Sequence, residues 1–178
     1  MGGNTWLGTS SLGLGSTFCF SAIFEISSMK NPEWEHRLKE ASKKLSEMNI
    51  LIVDDNPSAR DYLLKAVETV GPRCSCVSSG QEAINTLEEK HFDLVLMDWK
   101  MPNMDGIEAS KMIQNNKNIT KTPKIVIVTA YGREEVITKV RESNLDGLLL
   151  KPISASTLLE TLLQALGASP QSVKTNID

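Results

Sequence analysis

From residue 50 onward the chain alternates short, wholly apolar runs with longer amphipathic segments, and this alternation constrains its fold more than any other feature. Ile50-Leu51-Ile52-Val53 is the first such run. A strand that is apolar on both sides is one covered on both faces. Asn56-Pro57 follows, an N-cap and a proline suited to the first helical position, and Tyr62, Leu63, Ala66, Val67 and Val70 lay an apolar stripe along the helix it opens. The unit then repeats. Cys74 to Val77 reads as a second strand, and Ser79-Gly80-Gln81-Glu82 has the form of a capping box that opens a helix with Ala83, Ile84 and Leu87 inward. Asp93 to Met97 is a third strand, and Asp105 caps a helix containing Ile107, Met112 and Ile113. Ile125 to Val128 precedes a helix over 133–143 with Val136, Ile137 and Val140; Gly147 to Leu150 precedes one opened by Ser154 that carries Leu158, Leu159, Leu162, Leu163 and Leu166. Five strands alternating with five helices predict an α/β fold, a doubly wound and mostly parallel sheet whose right-handed crossovers place helices on both faces. After Gly167 the tail is polar and expected to be disordered.

The first 48 residues are different material. Residues 1–29 hold one charged residue, Glu25, and five of the 11 glycines. Thr5 to Thr9 reads as a strand, Gly13 to Ser16 as a turn, and Phe18, Phe20, Ala22, Phe24 and Ile26 alternate with Cys19, Ser21, Ile23 and Glu25, so residues 5–26 predict a β-hairpin with an apolar row on one face. A lone hairpin is marginal in water and needs a cover for that face. Residues 32–48 then place Trp34, Leu38, Ala41, Leu45 and Met48 at alternating spacings of four and three on a charged helix. That is a heptad seam of two repeats, which suits a dimer contact or packing on the chain's own domain equally well.

Composition narrows the function. With 19 basic and 22 acidic residues the net charge is -3, which argues against nucleic acid as a direct partner. No apolar run approaches the roughly 18–20 residues that span a bilayer, and the run Phe18 to Phe24 lacks the preceding basic residues of a secretory signal. Cys19, Cys74 and Cys76 are few and odd in number, and no second Cys/His pair completes a zinc site. They read as reduced thiols, packed rather than ligating, and the expected compartment is cytosolic.

In a doubly wound sheet the chemistry sits beyond the carboxyl ends of the strands, where strand order reverses. Asp54 and Asp55 follow the first strand, Asp98 the third, Thr129 ends the fourth and Lys151 the fifth. One strand-end Asp is commonly a helix cap, but five polar residues converging on one rim are a different matter. Three carboxylates in a small cleft repel unless a cation joins them. Mg²⁺, a hard ion that takes oxygen ligands and keeps several waters, suits them. Lys151 adds a fixed positive charge and Thr129 a hydroxyl donor, the set required to move a phosphoryl group onto a carboxylate.

Val53-Asp54-Asp55-Asn56, Leu96-Met97-Asp98-Trp99-Lys100-Met101-Pro102-Asn103-Met104-Asp105-Gly106, Val128-Thr129-Ala130 and Lys151-Pro152 together resemble the receiver domain of two-component signalling, in the right order and spacing over roughly residues 49–166. The resemblance implies a flavodoxin-like strand order, 2-1-3-4-5. It implies that Asp98 is the phosphoacceptor, taking its phosphoryl group from a phosphohistidine on the parent kinase or a histidine-phosphotransfer protein. Asp55 and Asp98 would bind Mg²⁺ directly with the Lys100 backbone carbonyl, Asp54 mostly through a metal-bound water, and Thr129 and Lys151 would contact the phosphoryl oxygens. The Lys151-Pro152 bond would be cis. Two positions bear on mechanism. The family's aromatic switch residue, three before the lysine, is Leu148 here, so the chain departs from the family's pattern at that switch. Lys100 and Tyr131, two beyond Asp98 and Thr129, are bulky, which predicts slow loss of the acyl phosphate, over hours, by exclusion of attacking water.

Met1-Gly2-Gly3 and Ser11-Leu12-Gly13-Leu14-Gly15-Ser16-Thr17-Phe18-Cys19-Phe20 resemble the last segment of a histidine-kinase ATP-binding domain. The implied organisation is a remnant of that domain over 1–29, a linker helix over 30–49, a receiver over 50–166 and a flexible tail over 167–178, the C-terminal part of a hybrid sensor histidine kinase. The earlier nucleotide-binding motifs are missing, and His36 and His91 lack the surroundings of a phosphorylatable histidine, so the chain by itself is not expected to bind ATP or act as a kinase. The rivals are a free-standing response regulator with an unrelated appendage, a degenerate receiver kept as a scaffold, and a phosphatase, which would lack a general acid where Lys100 stands.

Overall fold

The computed structural model describes residues 2–24, 39, 43–130 and 133–167. The chain divides into two units, residues 1–35 and 36–178.

The first unit is the hairpin. Strand β1 (Thr5–Ser11) pairs antiparallel with β2 (Gly15–Phe20), with an irregularity between Leu7 and Thr9. The connecting turn, Leu12 to Leu14, lies slightly earlier than the spacing predicts. Gly13 and Gly15 take φ of 80° and 91°, the left-handed conformation that a side chain disfavours. Pairing continues past the strands, where the Ser21 and Ile23 N–H groups donate to the Asn4 and Gly2 carbonyls. Leu7 lies opposite Phe18, and Trp6 opposite Cys19. Trp6, Leu7, Phe18, Phe20, Ile23 and Phe24 are all exposed, so this unit has the apolar surface expected of it.

The second unit is the predicted α/β domain. Its elements are β3 (Asn49–Val53), α1 (Pro57–Glu68), β4 (Arg73–Val77), α2 (Gly80–Glu89), β5 (Leu94–Asp98), α3 (Gly106–Asn115), β6 (Lys124–Thr129), α4 (Arg133–Glu142), β7 (Gly147–Leu150) and α5 (Ala155–Ala165). The sheet is parallel throughout, in the order β4-β3-β5-β6-β7, which is 2-1-3-4-5 counted within the domain. The central strands β3 and β5 and all of β6 beyond its first residue carry the core, as wholly apolar runs should. On one side Leu51, Val53, Val95, Met97, Ile125 and Ile127 join Ala83, Ile107, Ile113 and Val136 in a continuous cluster.

The helix starts are where their polar caps put them. Asn56 Oδ1 accepts from the Ser58 N–H at 2.9 Å, Asp105 Oδ1 from Glu108 at 2.8 Å, and Ser154 Oγ from Thr157 at 3.1 Å. The capping box of α2 is displaced. Ser79 Oγ accepts from the Glu82 N–H, but the Glu82 carboxylate returns to the N–H and hydroxyl of Ser78, one residue before the cap. At the far end of the sheet two carboxylates take up N–H groups of neighbouring strands. Asp93 Oδ2 accepts from Asn49 at 3.0 Å and Asp146 Oδ2 from Ile125 at 2.9 Å.

Helix α3 buries Ile107, Ala109, Ser110 and Ile113 and leaves Met112 exposed. Two expectations are corrected. Tyr62, read as part of the apolar stripe of α1, is 52% exposed. Cys76 is exposed on the edge strand β4 rather than packed, whereas burial pushes the Cys74 thiol up to about 12. Of the heptad segment, only Lys39 and residues 43–48 are described. Lys43 to Leu45 form a helical turn, and Leu45 is fully buried within this second unit. That position of the seam is therefore occupied by the chain's own domain; the remainder, like the tail beyond Gly167, lies outside the described residues.

Candidate functional site

The carboxyl ends of β3, β5, β6 and β7 deliver the five strand-end residues to one place. Asp54, Asp55, Asp98, Lys100, Thr129 and Lys151 line a single cleft of about 150 Å³, with Asn56, Ala59 and Ala130 at its edge. Asp54 and Thr129 are 1% exposed and Asp98 8%, while Asp55 is open to solvent. Parallel register explains the convergence. Val53 lies opposite Met97 and Asp98 opposite Val128, so each polar residue emerges at nearly the same level of the sheet.

Each side chain is held from several directions. Lys151 Nζ donates to Asp54 Oδ2 at 2.8 Å and to Asp98 Oδ1 at 2.7 Å, and the Lys151 N–H donates to the Thr129 carbonyl at 2.8 Å. Asp54 Oδ1 accepts from the Asn56 N–H at 2.9 Å. The Lys151-Pro152 bond is cis, as the resemblance implies. Arg60 Nη1 donates to the Asp54 carbonyl at 2.6 Å, and the Tyr62 hydroxyl donates to the Ile153 carbonyl. Neither of these last two is legible in a motif, because both end on backbone acceptors. Lys100 lines the cleft, but its ammonium is drawn over the ring of buried Trp99, 4.0 Å from the centroid. Tyr131, expected beside it, lies outside the described residues. Leu148 is half-buried and packs against the same apolar cluster as β3 and β5.

The electrostatics leave a deficit of positive charge. Burial holds the Asp98 carboxyl above its ordinary range; hydrogen bonding and attraction from Lys151 and the Lys100 N–H pull the other way, and Asp54 adds to the rise. Burial pulls the Lys151 ammonium down, but its hydrogen bonds to Asp54 and Asp98 outweigh this and hold it above the usual lysine value. The shared ammonium gains two partners, while burial of Asp98 outweighs what its part of that ammonium returns. Asp54, Asp55 and Asp98 each offer an oxygen within 4.8 Å of the others, the one such group of potential ligands among the described residues. Three carboxylates against one ammonium leave about two negative charges in a cleft of oxygen donors, which a hard divalent cation fits in charge and chemistry.

Fold and site together define a class, and the response regulator receiver domain family matches residues 50–163; the chain belongs to that family. Among curated relatives it is 32% identical over 137 residues to the sensor histidine kinase RcsC of Escherichia coli, an alignment covering 75% of this chain but 14% of that protein. It is 29% identical over 119 residues to the polar-differentiation response regulator DivK of Brucella ovis, covering 67% of this chain and 96% of the regulator. Among solved structures, the receiver domain of sensor histidine kinase PA1611 from Pseudomonas aeruginosa, described with a magnesium ion in its active-site cleft, superposes with a TM-score of 0.60 at 27% identity, covering 67% of this chain and 98% of that one. Relatives thus include both hybrid kinases and free-standing receivers. No helix among the described residues is long and apolar enough to cross a membrane.

Proposed function

We propose that the chain is a phosphoacceptor receiver in which Asp98 takes a phosphoryl group from a phosphohistidine, as a cytoplasmic part of a hybrid sensor histidine kinase. The observation that carries this reading is the Lys151 ammonium bridging Asp54 and Asp98, at 2.8 and 2.7 Å, in the cleft that also holds Asp55 and Thr129. An Asp98 oxygen attacks phosphorus, the P–N bond to the donor imidazole breaks, and the imidazole leaves with the bond's electron pair. Lys151, already aimed at Asp98, meets the negative charge on the phosphoryl oxygens, and the Thr129 hydroxyl donates to another. Asp55, Asp98 and the Lys100 backbone carbonyl would hold Mg²⁺, with Asp54 acting mostly through a water. When bound, the ion supplies neutralising charge to the phosphoryl oxygens.

Residues 1–29 fit the end of an ATP-binding domain, 30–49 a linker and 167–178 a tail. The uncharged, exposed apolar surface of the hairpin supports that organisation. The near-complete coverage of DivK supports the second reading, a free-standing regulator. Phosphotransfer profiling against the histidine-phosphotransfer proteins of the source cell identifies the donor.

Incubating the chain with acetyl phosphate and Mg²⁺ is expected to add one phosphoryl group, mapping to Asp98 and absent with EDTA. No modification, or modification elsewhere, would overturn the reading. The acyl phosphate, once formed and freed of donor, is expected to decay over hours because the bulk of Lys100 and Tyr131, two residues beyond Asp98 and Thr129, excludes attacking water. Loss within a minute in the presence of Mg²⁺ would show that water reaches phosphorus freely.

A further inference from the structure

The part of the cleft with the longest reach through the fold is Lys151, and the hydrogen bond from Tyr62 bears on it. Tyr62 breaks the apolar stripe of α1 and keeps its ring 52% exposed, a poor use of a large side chain if burial were its purpose. Its hydroxyl instead crosses 91 residues of sequence to donate to the carbonyl of Ile153, in the loop that joins β7 to α5. Ile153 itself is buried, two residues beyond Lys151. On its other side Lys151 is fixed by its own N–H, which donates to the Thr129 carbonyl. The lysine therefore stands on a short stretch of backbone tied at both ends, by the sheet on one side and by a phenol on the other. Its ammonium must reach two carboxylates at once, at 2.7 and 2.8 Å.

We propose that Tyr62 is a positioning residue for Lys151: its hydroxyl, by anchoring the Ile153 carbonyl, holds the loop so that the ammonium is aimed at the phosphoryl site. The inference rests on the receiver reading above. Tyr62 touches neither the phosphoryl group nor the carboxylates, so its contribution reaches the chemistry only through the lysine. Helix α1 would then brace both partners of the Asp54–Lys151 pair, since Arg60 from the same helix donates to the Asp54 carbonyl.

Tyr62→Phe removes the hydroxyl and leaves the ring, so the fold should survive and its thermal unfolding confirms this. One net hydrogen bond corresponds to roughly a three- to tenfold change in an equilibrium constant. The expected result in the full chain is a three- to tenfold loss of beryllofluoride affinity at saturating Mg²⁺, with Mg²⁺ affinity itself unchanged, because the carboxylates are untouched. In a Lys151→Ala background the same substitution should add nothing further. Equal beryllofluoride affinity in Tyr62→Phe and the parent chain overturns the inference, as does a loss that persists undiminished without Lys151. A parent chain that binds no beryllofluoride overturns the receiver reading instead, so the two failures are distinct.

Discussion

Asp98→Asn should take up no phosphoryl group from acetyl phosphate and should unfold at a higher temperature than the parent chain at pH 7. The first effect is chemical. An amide offers no carboxylate oxygen to attack phosphorus. The second effect follows from the direction in which Asp98 is displaced. Burial and Asp54 hold its carboxyl above the ordinary range in the folded protein. The folded state therefore binds that proton more tightly than the unfolded chain does, and this contribution to stability is full below the ordinary carboxylate value. It is lost as pH rises through the elevated folded value. At neutral pH the ionised Asp98 costs stability, and asparagine, of the same shape and uncharged, removes the cost. A gain of a few degrees in Tm is expected at pH 7 in EDTA, shrinking toward pH 3, where both side chains are neutral. Thermal unfolding followed by circular dichroism across this range checks it. A lower Tm at pH 7 would mean that the pair with Lys151 outweighs burial.

Gly106→Ala is expected to be the most damaging single-methyl change in the domain. An added Cβ would lie 2.2 Å from the Asp98 carbonyl oxygen and 2.8 Å from Met97 Cγ. The first contact is backbone at the end of β5 and cannot rotate aside. The Gly106 N–H also donates to the Trp99 carbonyl at 2.8 Å, so α3 starts pressed against the strand that carries Asp98. Overpacking of this kind costs about 2–4 kcal/mol, or roughly 10 °C in Tm for a domain of this size. Because the displaced atom belongs to Asp98, phosphoryl uptake should fall with it. Gly80→Ala is the instructive contrast. There the new methyl meets no backbone: the Met104 Sδ at 3.0 Å can move, while Ala109 Cβ at 2.8 Å can give way only as α3 shifts, so a smaller loss is expected. A Gly106→Ala chain melting within two or so degrees of the parent would show that α3 can shift without cost.

What the sequence made legible was local or periodic. Runs such as Ile50 to Val53 announce covered strands whatever surrounds them, and Asn56, Asp105 and Ser154 cap helices through N–H groups two or three residues on. The rim of the sheet was legible because topology alone carries strand ends to one place, so Asp54, Asp98, Thr129 and Lys151 needed no knowledge of side-chain geometry. The misreadings share the opposite character. Tyr62 looked like one more apolar position because its partner lies 91 residues away. The Glu82 carboxylate chose Ser78 over Ser79, a difference of one residue that the motif does not encode. Leu45 fitted a dimer seam and domain packing equally well, and only the folded domain distinguishes them.

That last residue marks where the domain can be cut. Resemblance to the family begins at residue 50, yet the fold begins earlier. Leu45 plugs the core, and the Met48 carbonyl accepts the Arg73 N–H that starts β4. A protein excised at residue 49 would open a leucine-sized hole and strand a backbone donor, while one excised a few residues upstream of Lys43 would keep both. The lead-in is thus an integral staple of the receiver, and any pull on the chain ahead of it arrives directly at the foot of β3, the strand whose other end carries Asp54.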